Sequence, residues 1–191
     1  MLNRLREIRR DTRGVAAIEF ALMLPMLIAL LIGCLEVTFK IWSTQKAEKL
    51  AVTLSDIIAQ STSVTNDDLA SLTSAVDKIM DPFPFGADEG RVVISSIYVQ
   101  QDETIAKVNW QCFFPPSGSY NVTSEFGVKD ADADLPTGFT LAPRDNVIVA
   151  EVFYQYHPIA PGLLFDESVV YRRALFKPRL GTLITDPCPA S

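Results

Sequence analysis

The residues with the clearest chemical meaning lie where a basic segment meets an apolar run near the N-terminus. Gly14 is followed by Val15, and a lone carboxylate, Glu19, stands at the fifth position of the apolar run. An unpaired carboxylate in hydrocarbon costs roughly 2.5 kcal/mol or more. A cut after Gly14 would create an α-amino group on Val15, with an unperturbed pKa of about 7.7–8.0. We expect that amine to neutralise Glu19 of a neighbouring subunit and to set the register between subunits.

The apolar run is long enough to cross a membrane. From Val15 to Leu35 it has 21 residues and one charge. At about 1.5 Å per residue, it spans a hydrocarbon core of roughly 30 Å. Glu36 and Lys40 end the run, and Trp42 follows at a position typical of interfacial aromatic residues.

Charge differs on the two sides of this run. The net charge is -6, but residues 1–13 hold five arginines against two acidic residues, a balance of +3, so the remainder carries -9. A basic flank stays in the cytoplasm, whereas an acidic region can be translocated. We therefore assign residues 1–14 to a cytoplasmic leader, 15–37 to a transmembrane segment and 38–191 to a periplasmic domain. The acidic domain has no basic patch, which argues against nucleic acid as a partner.

Three interpretations of the N-terminal segment compete. A secretory signal peptide has a shorter apolar stretch that ends in a small-residue cleavage site, and this sequence has neither feature. An uncleaved signal anchor accounts for the basic flank and for the long apolar run, but it does not account for Glu19. A prepilin-type segment, cut after Gly14, accounts for the carboxylate as well.

The stretch from Gly14 to Ala21, followed by Pro25, resembles the TadE-like proteins of tight-adherence (Tad) pilus systems. The resemblance extends to a basic C-terminal strand, residues 171–179. It implies a pseudopilin that a prepilin peptidase cuts between Gly14 and Val15, with Glu19 in assembly. Major type IV pilins usually have Phe where this chain has Val15, which favours a minor pilin or pseudopilin.

This resemblance implies a non-enzymatic protein that takes part in the biogenesis of Tad-type adhesive pili. It would reside in the bacterial inner membrane as a single-pass protein, and its place in the fibre stays open. Its partners would be the lipid bilayer, other pilin and pseudopilin subunits, and the prepilin peptidase. The alternative is an uncleaved, membrane-anchored periplasmic binding or scaffold module.

The segment after the apolar run predicts that the helix continues. Residues 43–60 lack Gly and Pro and carry apolar residues on one helical face. This pattern predicts one helix from Val15 to about Ala59, and the alternative is two helices broken near Ser43. Asn66 is the predicted N-cap of a second amphipathic helix, which ends at Asp81-Pro82.

Four strands follow. The predicted strands are Arg91–Gln100, Thr104–Phe114, Asn146–His157 and Ser168–Lys177, separated by irregular segments. In the second, Ala106, Val108, Trp110 and Cys112 alternate with polar residues, which predicts a single inner face. The predicted fold class is α+β: a long N-terminal transmembrane helix extends into a periplasmic head with a second helix and an antiparallel sheet of about four strands.

The cysteines divide by location. Cys34 falls inside the apolar run, where we expect an inert packing residue. Cys112 and Cys188 would both lie outside the cytoplasm, where thiols can form a disulfide. A bond between them would pin the Pro-rich tail to the second strand, and free thiols remain the alternative.

Signals for catalysis or cofactors are weak. His157 is the single histidine, and a surface position at a strand end is the favoured interpretation. The sequence lacks nucleotide-binding, zinc-protease and hydrolase motifs. From Asp130, a calcium loop would need Gly at the sixth position and Glu at the twelfth, where Leu135 and Leu141 stand. We predict no catalytic residue, no metal site and no cofactor, and a solvated acidic loop at 130–134.

Overall fold

The computed structural model describes residues 14–86, 88–115 and 119–188. Two helices and one four-stranded antiparallel sheet form an α+β fold, as predicted. Their bounds are α1 Val15–Ala59, α2 Asn66–Met80, β1 Gly90–Val99, β2 Ala106–Phe114, β3 Asn146–Tyr156 and β4 Ser168–Phe176. The leader, residues 1–13, lies outside the described residues.

Helix α1 is continuous over 45 residues, so the alternative of a break near Ser43 is wrong. The helix also runs through Pro25 without ending. Its two halves differ in surroundings: residues before Ile32 are exposed, whereas the second half packs across β3 and β4. The packed face repeats every three or four residues, as Ala47, Leu50, Leu54 and Ile58.

The N-cap of helix α2 lies one residue before the predicted cap, Asn66. Thr65 is the N-cap because its backbone is extended, at φ -116° and ψ 165°, whereas Asn66 is already helical. The Thr65 hydroxyl accepts from the Asp68 N–H, and the Asp68 carboxylate accepts from the Thr65 N–H at 2.9 Å. This reciprocal capping box satisfies two orphan donors of the first turn.

The strand order in the sheet is β2-β1-β3-β4, with every neighbouring pair antiparallel. The predicted strands are confirmed within one or two residues at each end. The sheet has two covered faces. One face carries Val92, Ile94 and Ile148 against the helices, and the other carries Ile97 and Val149.

Strand β2 does not have the single inner face that its alternation predicts. Trp110 pairs with Ser96, but Val108 pairs with Ile97, so the extra residue between them makes a β-bulge. A bulge reverses which side the following side chains occupy. Trp110 therefore lies on the helix side, while Val108 lies on the opposite side.

The irregular segment between β2 and β3 covers the sheet face opposite the helices. Phe126 is fully buried there, and Leu135 and Phe139 pack around it. The predicted solvated loop at 130–134 also forms backbone bonds to the outer edge of β2, including Asp130 N to Val108 O at 2.8 Å. This pairing shields an edge strand that would otherwise be open to other chains.

Candidate interaction site along the long helix

The first half of α1 presents a continuous apolar surface to its surroundings. None of its most apolar 18-residue stretch is buried against the rest of the chain. It exposes large side chains all round, including Ile18, Phe20, Leu22, Met23, Met26, Leu27, Leu30 and Leu31. An apolar surface of this extent requires lipid or other apolar helices around it. The helix is long and apolar enough to anchor the protein in a membrane.

The predicted cleavage site lies at the start of this helix. Gly14 is the N-cap residue, and Val15 begins the helix and is 47% exposed. A Cβ added at Gly14 would meet no atom within 4 Å. The fold therefore does not require glycine at this position, and a requirement for Gly14 would come from another molecule.

Glu19 is exposed one turn after Val15. Residues four apart lie on the same helical face. Among the residues that the structure describes, none donates a hydrogen bond or forms an ion pair with Glu19. The Glu19 carboxylate is thus exposed on the same face of α1 as Val15.

A shallow groove follows Pro25 along the helix. Proline has no N–H, so the carbonyl four residues earlier lacks its helical donor. One wall of the groove is the helix, and the other is the turn-rich segment between β3 and β4. The lining residues are Ala21, Leu24, Pro25, Ile28, Ala29, Ile32, Ala160 and Leu163.

Glu36 lies where the helix meets the sheet domain, and its side chain is fully buried. The carboxylate accepts the backbone N–H of Ala160 at 2.5 Å, and the Tyr156 hydroxyl lies 3.4 Å away. In the sequence, Glu36 marks only the end of the apolar run. A usable signal was its helical spacing from Ser43 and Ala47, which places all three on the packed face of α1.

One turn later, Lys40 continues this polar junction. Its ammonium donates to the Ser168 hydroxyl at 2.5 Å and lies 4.3 Å from the centre of the Tyr156 ring. Burial, with a smaller contribution from the nearby Arg172 guanidinium, lowers the pKa of Lys40. On the other side of the helix, Trp42 is 40% exposed and packs edge-on against Phe83.

Cys112 and Cys188 are joined by a disulfide, with their Cα atoms 5.5 Å apart. Cys112 is buried in β2, so the bond attaches the C-terminal tail to the core. The tail is held independently by Leu183, whose carbonyl accepts from Trp110 Nε1 at 2.9 Å. Cys34 is a free thiol exposed on α1, which corrects its expected packing role.

Glu151 is a second buried carboxylate that the sequence analysis missed. It lies in the middle of β3 and accepts bonds from the Glu125 N–H and the Tyr171 hydroxyl, both at 2.9 Å, and from the Ser124 hydroxyl. Burial raises its pKa, and these hydrogen bonds oppose the shift. In the sequence, its burial was indicated by its position as the one charged residue in an otherwise largely apolar strand. The contacts fasten the covering segment to the sheet.

His157 is half-exposed at the end of β3, between two carboxylates. Its Nε2 lies 3.0 Å from Glu89, and its Nδ1 lies 3.1 Å from Glu167. The hydrogen bond to Glu167 and the charge of Glu89 raise the pKa of His157.

We predict that His157 stabilises the fold under mildly acidic conditions. Its pKa is higher in the folded chain than in the unfolded one, so its contribution is fully present below about pH 6.5 and is lost as pH rises through the folded pKa. Because the interactions of His157 with Glu89 and Glu167 are exposed, we expect them to stabilise the fold by less than about 1 kcal/mol. His157→Gln should lower the thermal midpoint at about pH 5.5 but not at about pH 9. An equal loss at both pH values would contradict this account.

Within the described parts of the chain, no group of three or more His, Cys, Asp or Glu side chains is arranged to hold a metal ion. Asp130 has a left-handed backbone, with φ 66°, and Lys107 of β2 pairs in register with Asp132. The acidic segment is therefore organised by the edge of the sheet.

The geometry of the N-terminal segment agrees with the comparison to known families. The model of the TadE-like protein family matches residues 14–52. This match confirms the predicted resemblance over the helix that carries Gly14, Val15 and Glu19. No curated protein and no solved structure gives a significant match to the chain.

Proposed function

We propose that this chain, whose residues 14–52 are a TadE-like segment associated with Tad pili, is a pseudopilin that takes part in pilus assembly. The observation that carries the proposal is Glu19, a carboxylate without a partner among the described residues, on an exposed apolar half-helix. In a bundle of such helices, a neighbour's amino terminus at Val15 would neutralise it. This ion pair would offset the cost of burying the Glu19 carboxylate and the cost of burying the Val15 amine, and it would align the subunits.

The proposed arrangement places the leader in the cytoplasm, residues 15–37 in the bacterial inner membrane and the sheet domain in the periplasm. Arginines before Gly14 and the acidic domain after Lys40 support this topology. The role is structural, with no catalytic step or cofactor. The proposed partners are pilin and pseudopilin subunits, the lipid bilayer and a prepilin peptidase.

Sequencing the mature N-terminus by mass spectrometry tests the processing step. We expect the protein from a strain with its native peptidase to begin at Val15. Gly14→Leu should retain the leader, because a side chain at that position obstructs the peptidase, while the fold has open space there.

Gly86→Ala provides the matched control, because a Cβ at Gly86 also meets no atom within 4 Å. This variant should be processed normally. A native chain that keeps Met1 would contradict the pseudopilin assignment and favour the uncleaved anchored module.

A further inference from the structure

The segment between β3 and β4, residues 158–165, forms a loop that carries no charge. Its sequence is Pro-Ile-Ala-Pro-Gly-Leu-Leu-Phe, and its backbone forms turns. Ile159, Leu163 and Leu164 are 58%, 45% and 53% exposed. We call this segment the apolar loop. Transfer of such side chains from water to an apolar medium is favourable.

The apolar loop lies beside the membrane-spanning part of α1. A Cβ added at Gly33 would come within 3.2 Å of Leu164 Cδ1, so glycine permits the close approach. Ala160 and Leu163 face Ile28 across the groove. Counted from Val15 at about 1.5 Å per residue, Gly33 lies roughly 27 Å along the helix and Ile28 roughly 20 Å. Both fall within a hydrocarbon thickness of about 30 Å.

Part of the loop backbone is satisfied within the protein, which lowers the cost of placing it next to a medium without water, where each unbonded polar group costs several kcal/mol. Pro158 and Pro161 have no N–H to satisfy. Two other donors are bonded inside the loop, from Leu163 N to Ala160 O at 3.1 Å and from Gly162 N to Phe165 O at 3.2 Å.

Glu36 satisfies a further backbone donor of the loop. Its buried carboxylate accepts the Ala160 N–H at 2.5 Å and so fastens the loop to α1. Charged residues begin again where the loop ends: His157 and Glu167 lie 3.1 Å apart across its base. The loop therefore has an apolar tip beside the helix and a polar base at the sheet domain.

We propose that the apolar loop inserts its exposed side chains, Ile159, Leu163 and Leu164, into the acyl-chain region of the bilayer leaflet next to the sheet domain, while its backbone stays at the membrane interface. The inference rests on the proposed membrane span of α1. The loop and helix would then contact lipid at two places, which restricts how the sheet domain tilts on the membrane. The exposed apolar side chains, the absence of charge in the loop and the depth of Gly33 favour lipid as the occupant of this surface.

Fluorescence quenching in proteoliposomes tests the proposal. The full chain with Cys34→Ser would carry an NBD fluorophore on Leu163→Cys, Leu27→Cys or Val128→Cys. Leu27 is 51% exposed on the membrane-spanning helix, and Val128 is 53% exposed on the far side of the sheet, so both match Leu163 in exposure. The vesicles contain phosphatidylethanolamine, phosphatidylglycerol and a phosphatidylcholine with a doxyl group on its acyl chain, and iodide serves as the aqueous quencher.

We expect doxyl lipid to quench the probe at residue 163 several-fold more than the probe at residue 128, and to a similar extent as the probe at residue 27. Iodide should show the opposite order. Lipid quenching at residue 27 together with iodide quenching at residue 163 would overturn this proposal and leave the membrane span of α1 intact. Protection of residue 163 from both quenchers would also overturn it, by showing that protein covers the loop. Absence of lipid quenching at residue 27 would refute the membrane span itself.

Discussion

Glu19→Ala is expected to abolish pilus assembly while making insertion of the single chain into the membrane easier. Removing an unpaired carboxylate from the apolar span should lower the cost of insertion by roughly 2.5 kcal/mol. The same change removes the group that would neutralise a neighbour's Val15 amine. If that contact is also worth roughly 2.5 kcal/mol, its loss decreases the equilibrium constant for subunit association by more than about tenfold. Membrane fractionation and pilus counts by electron microscopy would measure the two effects separately.

Glu48→Ala is the matched control for Glu19→Ala. Glu48 is also an exposed glutamate on α1, but it lies beyond the membrane span. We expect this variant to insert and assemble as the native chain does. If Glu19→Ala produced native numbers of pili, the carboxylate would have no role in register, and its retention in an apolar run would need another cause.

The second large effect is expected on breaking the Cys112–Cys188 bond. The bond closes a loop with a sequence separation of 76 residues. The chain-entropy model gives roughly 4 kcal/mol of stabilisation for a loop of that length. This amount is a large part of the unfolding free energy of about 5–15 kcal/mol that is typical of a folded domain. Cys188→Ala should therefore shift the urea unfolding midpoint of the detergent-solubilised chain to a markedly lower concentration.

The Cys188→Ala experiment carries two internal controls. Reductant should destabilise the native chain but leave Cys188→Ala unchanged, since the bond is already absent. Cys34→Ser should behave as the native chain, because the Cys34 thiol is free on α1. The tail should stay bound near Leu183 through its bonds to Trp110 and Asn146. A midpoint that does not respond to reductant would contradict a stabilising role for the disulfide.

Local patterns predicted most of the elements correctly. The absence of Gly and Pro in residues 43–60, together with their apolar stripe, predicted that α1 continues to Ala59, and it does. Turn residues separated the four strands well enough to place their ends within one or two residues. These signals are local, because helix and strand periodicity depends on neighbours only a few positions away.

Predictions that required distant contacts were less accurate. The alternation in β2 assigned Val108 and Trp110 to one face, but the register with β1 inserts a bulge between them. The cap of α2 is a local exception: Thr65 rather than Asn66 is the N-cap, because Thr65 forms the capping box with Asp68 three residues later. The segment at 130–134 is a solvated loop as predicted, with Asp130, Asp132 and Asp134 exposed, but the pairing of its backbone with the edge of β2 could not be predicted from its composition.

The sequence by itself determined the membrane-length helix, the Gly14–Val15–Glu19 pattern and the order of the secondary structure elements. Composition, spacing and charge are sufficient for these features, because they depend on the surrounding medium and on residues only a few positions apart in the sequence. Only the tertiary structure decided that Glu36 and Glu151 are buried and hydrogen-bonded, and that residues 158–165 lie beside the helix near Gly33. Those features depend on segments more than a hundred residues apart or on neighbouring strands meeting in register, and no local pattern encodes that meeting.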